Sequence, residues 1–342
     1  MSLRTLGGTM SIPLGAGRTR WRLQLTWRRA LVAAVAFLLL IPNSSVLEHR
    51  AVIAVFLVAL AAGRGWVFVR DWLPLVLAAT LFVVLRQFAA LSPLPHQGVA
   101  VVRAEEALFG GHVPSAALQA AWYVPGRPGP IDYLATAVHA SYFFGFVLVG
   151  LAIWLFARER FRVYAATLGV TFTLGLAGYF LLPTEPPWLA GREGMAPPVQ
   201  RIIGETAEGT RLTAGIVATG RAWQDDPDAL GDPNPSAAMP SVHTAITAAL
   251  ALALWRWRRA LGVAGAAYTV AMGFSLVYLG EHYVVDVLAG LLCAFVSSWI
   301  VGRWLPGRRW LPGRRRRPRR PRAGCLPAAP GRAAGTPGCA AP

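Results

Sequence analysis

The sequence predicts an all-α, polytopic membrane protein with about eight transmembrane helices. Three observations predict it. Hydrophobic residues make up 55% of the 342-residue chain and charged residues only 14%, where a soluble domain is about one quarter charged. Apolar runs near the ~20-residue length that crosses a bilayer recur along the chain. The net charge of +17 is carried by arginine, with no lysine, and the arginines gather at alternate ends of the apolar runs.

The elements follow in order. Residues 1–29 hold the basic stretch RTRWRLQLTWRR and are expected to remain as a cytoplasmic N-terminus, because further spans follow rather than a small-residue cleavage site. Apolar spans are predicted at 30–47, 51–69, 72–91, 132–156, 163–182, 240–255, 261–280 and 284–302. Arg64 interrupts the second and would have to snorkel to the interface. Residues 30–131 then form an N-terminal membrane segment with an outer loop, and 132–302 a second group of spans. Residues 303–342 carry eleven arginines, the repeat RWLPGRRWLPGR and a Pro/Ala/Gly stretch. That composition cannot bury a core, and a disordered cytoplasmic tail is expected.

Placing both termini inside puts 25 arginines on the inner side and 7 on the outer, with Arg86 within a span. This bias sets the expected orientation in the cell membrane. The basic tail beside the last span is expected to meet anionic lipids, not nucleic acid, since it lacks interleaved aromatics beyond Trp304 and Trp310. Two Pro- and Gly-rich segments, 92–131 and 183–239, then face outward, the second with Asp225, Asp226, Asp228 and Asp232. Long loops of that kind are more often functional than idle. Cys293, Cys325 and Cys339 give neither a disulfide framework nor a metal spacing.

The chemistry concentrates in two stretches. In MPSVH, residues 239–243, Pro240 fits a first helical turn, and the N–H groups after it offer an anion site at the positive end of the helix dipole. Ser241 adds a hydroxyl donor, and His243 lies in the same turn. Alone, the stretch reads equally as a capped helix start with an interfacial histidine. In YLGEHYVVDVLAG, residues 278–290, His282 and Asp286 are four apart and share a helical face. A carboxylate behind an imidazole fixes its tautomer and stabilises the imidazolium; a structural His–Asp tie is the plainer alternative. One helix down and one helix up separate the two stretches, so both histidines return to the same outer surface. An Asp-backed histidine can attack phosphorus and a second histidine can protonate the leaving group, with no metal or other cofactor required.

MPSVH followed by HYVVD resembles the type 2 phosphatidic acid phosphatase superfamily over residues 130–302. The resemblance implies the helical core shared with vanadium haloperoxidases, with six helices. It implies His282 as the nucleophile forming a phosphohistidine, Asp286 as its orienting carboxylate and His243 as the general acid. The superfamily usually carries an upstream Lys-x6-Arg-Pro motif, PSGH and an Arg six residues before the nucleophile. Here there is no lysine, Val242 replaces the glycine, and Leu276 replaces the arginine. NPSAAMPSVH, LLPTEPPW and GPIDYLATAVHASYF resemble the bacterial branch of the inositol phosphorylceramide synthase-like inositolphosphotransferases, which shares these losses.

A lipid phosphate is therefore the expected substrate, with water, inositol or another polyol as acceptor. A non-catalytic lipid-handling or transport protein on the same fold is the alternative. The missing basic motif leaves the phosphate-binding cation open. Arg86, near the outer end of a span, is the first candidate; snorkelling explains it as readily. Arg192, Arg201, Arg211 and Arg221 are weaker ones. Asp132, His139 and Tyr142 open the fourth span, and positions 132 and 139 share a face. They are expected to line the pocket and bind a polar head group, with a satisfied core histidine as the alternative for His139. Trp188 is expected to rest on the interface or to cover the site.

Overall fold

The structure, a computed structural model, describes residues 65–208 and 236–305. The first predicted span, most of the second, the acidic cluster with Arg211 and Arg221, and the arginine-rich tail after Leu305 lie outside the described residues. Within them the chain is helical and no β-strand forms; Thr184 and Ala237 make a single parallel bridge.

The helices are α1 (Gly65–Arg86), α2 (Gly98–Leu108), α3 (Pro114–Trp122), α4 (Pro130–Leu181), α5 (Pro187–Arg192), α6 (Ile202–Glu208), α7 (Val242–Trp257), α8 (Arg259–Tyr278) and α9 (Val284–Trp304). Four of these, α1, α4, α8 and α9, are long and apolar enough to cross a membrane. The 52-residue α4 is two limbs meeting at Ala157, whose φ of −150° and ψ of 53° break the helix. Its limbs correspond to the predicted spans 132–156 and 163–182, folded back without a loop between them. The 16-residue α7 spans about 24 Å at 1.5 Å per residue. It packs against α4, α8 and α9, and Ala245, Ile246, Ala249 and Leu250 on it are buried.

The N-terminal boundaries differ from the prediction. Arg70 and Asp71 were expected to separate two spans, but α1 runs through them. The reason is pairing. The Asp71 carboxylate is buried and accepts from Arg158 Nε, from Arg158 Nη2 at 3.0 Å and from Trp154 Nε1 at 3.0 Å. A charge so compensated no longer needs the surface. An unpaired buried carboxylate would be costly; the guanidinium and indole donors offset that cost. The helix also stops at Arg86 rather than residue 91, and a short 3-10 turn, Ala89–Leu91, follows.

The bundle has two chemically distinct ends. At one, Arg160 Nη1 donates to the Arg256 carbonyl at 3.0 Å, beside the Asp71–Arg158 pair, and Arg303 lies 5.5 Å from the Trp299 ring. At the other end lie Arg86, the start and finish of α4, the start of α7, the finish of α8 and the start of α9. Along the outside, Leu73, Leu77 and Leu81 of α1 and Leu288, Leu292, Phe295 and Trp299 of α9 are exposed. Stripes of that size facing outward suit hydrocarbon, where only self-satisfied helices are stable.

Candidate active site

Both sequence stretches converge at the second end. Helix α7 starts at Val242 with Ser241 as N-cap: its Oγ accepts from Thr244 N–H at 3.3 Å and lies 3.1 Å from Thr244 Oγ1. Pro240 therefore precedes the cap instead of occupying the first turn. Ser241, expected to offer its hydroxyl to phosphate, is fully buried and serves the helix cap. Its backbone N–H donates to the Asp286 carbonyl at 3.0 Å, joining the two motifs directly. Gly290 makes this approach feasible, because a Cβ there would run into the Ser241 carbonyl oxygen.

Val242 now has a physical account. Its side chain is 2% exposed and fills the space over Gly175 on the second limb of α4, where a Cβ would collide with Val242 Cγ2. A bulky residue on α7 and none on α4 make one contact. Leu276 is likewise part of the core, fully buried.

After α8 the chain reverses at Gly280, whose φ of +80° favours glycine. The N–H groups of Glu281 and His282 then donate to the Leu276 carbonyl at 3.0 and 3.2 Å. Asp286 caps α9 by accepting from Tyr283 N–H at 2.8 Å. The same Asp286 Oδ2 lies 3.5 Å from His282 Nδ1. That leaves His282 Nε2 turned to His243 Nδ1, 3.3 Å away. His282 is 4% exposed and Asp286 fully buried.

The His243 ring is packed by two other predicted residues, Tyr142 at 4.4 Å and His139 at 5.1 Å between ring centroids. Asp132 does not join them. It sits at the first turn of α4, where Oδ2 accepts from Gly129 N–H at 2.6 Å and Oδ1 from the Tyr278 hydroxyl. Both oxygens are engaged within the protein and the residue is 1% exposed, so its place is structural: it caps α4 and ties it to α8. Arg86, at the end of α1, is near enough to His243 for their charges to interact. Its Nε is buried and makes no hydrogen bond among the described residues.

Two groups were not foreseen in the pattern. Glu281, next to His282, binds Arg201 through Nε at 2.8 Å and Nη2 at 3.4 Å, and Arg201 lies over the Trp188 ring at 4.9 Å. Burial alone would raise the Glu281 carboxyl; the Arg201 guanidinium, helped by its hydrogen bonds and the nearby His139 and His282, overrides this and holds it below the usual 4.5. Trp188, expected at the interface or over the site, is 6% exposed beneath Arg201. The second is Glu105 on α2, fully buried against the start of α9. Its signal in the sequence is faint: an acid in register with Val101 and Val102 on the apolar side of GVAVVRAEEAL.

A helical membrane bundle that brings two histidines and an aspartate together from the starts of α7 and α9 is a framework for a membrane phosphatase or phosphotransferase. The chain belongs to the PAP2 superfamily, whose family model matches residues 99–300. It is similar to the undecaprenyl-diphosphatase BcrC of Bacillus subtilis, 25% identical over 46% of this chain and 67% of that protein. It is also similar to the phosphoinositol dihydroceramide synthase of Bacteroides thetaiotaomicron, 29% identical over 44% of this chain and 49% of that one. The match thus spans about half the length of the second relative. No solved structure matches the chain.

Proposed function

We propose that the protein cleaves a lipid phosphoester through a phosphohistidine on His282. The observation that carries this is the facing pair: His282 Nε2 and His243 Nδ1 at 3.3 Å, with Asp286 behind the far nitrogen of His282. Asp286 favours the tautomer with the proton on Nδ1, leaving the Nε2 lone pair to attack. In-line displacement sets the attacking nitrogen and the leaving oxygen on opposite sides of phosphorus. The two rings therefore part to admit the phosphoryl group between them. As the new N–P bond forms and the P–O bond breaks, the His243 imidazolium gives its proton to the leaving oxygen. In the second step neutral His243 takes the proton of the acceptor hydroxyl, the acceptor oxygen attacks phosphorus, and the N–P bond breaks.

Arg86 is the proposed partner of the phosphate oxygens, since its buried Nε makes no hydrogen bond among the described residues and its charge already reaches His243. His139 and Tyr142 form the wall beside His243 and shape the space for the head group or acceptor. Water as acceptor gives a phosphatase, as the name of the Bacillus relative describes. Inositol or another polyol as acceptor gives a transferase, which the name of the Bacteroides relative supports. The separation of the site from the arginine-rich end supports an extracytoplasmic site in the cell membrane, with both termini cytoplasmic.

The test is a product assay with purified protein in defined lipid phosphates, with and without inositol. Inositol-dependent formation of a phosphoinositol product supports the transferase; release of free phosphate alone supports the phosphatase. No turnover of any lipid phosphate favours the non-catalytic lipid-handling alternative.

A further inference from the structure

Helix α2 lies in the outer segment between the first spans and α4, well away in sequence from both histidines. It is anchored there: Gln97 N–H donates to the Pro183 carbonyl at 2.8 Å, and Gly98 abuts the Glu185 carboxylate. Its inward face presents Val101 and Val102, which pack with Tyr283, and one charged residue, Glu105. Glu105 is fully buried.

The start of α9 has N–H groups with no partner inside the helix. Two carboxylates share them. Asp286 takes Tyr283 N–H at 2.8 Å, while Glu105 Oε1 takes Val285 N–H at 2.8 Å, with Val284 N–H beside it. Glu105 Oε2 and Asp286 Oδ1 are both buried and make no hydrogen bond among the described residues. The division has a consequence. With Val285 N–H occupied by Glu105, Asp286 Oδ2 is left to Tyr283 N–H and stands 3.5 Å from His282 Nδ1, a buried nitrogen that makes no hydrogen bond among the described residues.

We propose that Glu105 is a positioning residue for the nucleophile: its carboxylate oxygen clamps the Val285 amide in the first turn of α9 and so keeps Asp286 aimed at His282. This rests on the reading of His282 as nucleophile, and it gives the segment before the second group of spans a part in the site. The clamp depends on where the accepting oxygen lies more than on its charge. Burial raises the Glu105 carboxyl, the two N–H donors lower it, and the Asp286 charge raises it further. The other ionisable groups facing this corner are Tyr283, Glu185 and the His96 paired with it; around His282 they are His243, His139, Glu281 and Asp286.

The experiment compares Glu105→Gln, Glu105→Asp and Glu105→Leu in the full-length protein. Two readouts are taken: kcat on a lipid phosphate and the tautomer of the His282 ring by histidine-selective NMR. Glu105→Gln keeps an oxygen at the same reach and is expected within about threefold of wild type. Glu105→Asp keeps the charge but withdraws the oxygen, and Glu105→Leu removes it. Both should lose roughly 10–100-fold in kcat with KM little changed, as expected for a catalytic group displaced by about 1 Å. In both, the His282 ring should lose its preference for the Nδ1–H tautomer, because a misaligned Asp286 no longer fixes it. In an Asp286→Asn background the same changes should cost almost nothing, as non-additivity requires of residues acting through one another.

A loss of equal size in that background, a wild-type rate in Glu105→Asp, or an unchanged His282 tautomer would overturn the clamp. The tautomer does not depend on turnover. If the wild-type protein fails to process any lipid phosphate, the functional reading falls while the NMR measurement still decides the role of Glu105.

Discussion

At the scale of single residues, the proposed reaction asks different things of His282 and Asp286. In it the histidine would form the bond to phosphorus, whereas the aspartate would orient it from 3.5 Å. His282→Ala should abolish turnover, and Asp286→Asn should leave a measurable rate, roughly 10²–10⁴-fold reduced. Steady-state assays of both variants check the order; equal residual rates would contradict the division of roles. Val242 gives a second prediction. Restoring the glycine that the superfamily prefers empties the slot over Gly175, so Val242→Gly should destabilise by roughly 2–4 kcal/mol from the cavity and the helix propensity together. Thermal unfolding in detergent measures it. His243, His282 and Asp286 were legible in the sequence because each pair lies within a turn or a hairpin. Glu105 was not: its partner Val285 is 180 residues away, and no local period marks such a contact. The structural role of Asp132 was hidden for the same reason, its partner Tyr278 being 146 residues distant.

At the scale of elements, the apolar runs located α4, α7, α8 and α9 to within a few residues. The error at α1 arose because a charged pair reads as a surface when its partners are unknown. Arg158, which neutralises Asp71, is 87 residues later. Segments 92–131 and 183–239 were legible as long connections but not as helices, since α2, α3 and α6 are short and are fixed by tertiary bonds. The Arg201–Glu281 pair is one of these, linking the start of α6 to the turn before His282. The Glu281 carboxyl lies below its usual 4.5, so its stabilising contribution is present above that pH and is lost as the pH falls through its lowered folded value. The Tm difference between wild type and Glu281→Gln should therefore be open at neutral pH and close on acidification below 4.5. A difference that stays constant with pH would show that the pair contributes nothing through its charge.

At the scale of the whole molecule, polarity between the two ends organises everything else. One end collects Asp71, Arg158, Arg160 and Arg256, the other the histidines. If the arginine end is cytoplasmic, single cysteines placed at Leu94 and Arg259 in a cysteine-free background should behave oppositely. A membrane-impermeant maleimide added to intact cells should label position 94 and spare 259; the reverse pattern would invert the proposed orientation. Family membership rests on the match over residues 99–300, and the reaction rests on the facing histidines. The most direct measurement is therefore to quench the protein during turnover of a labelled lipid phosphate and map the label by mass spectrometry. The account predicts an acid-labile phosphoryl group on His282 that is absent from His282→Ala and builds up when His243 is replaced in the presence of a substrate with a good leaving group. Label on another residue, or turnover that persists in His282→Ala, would contradict it.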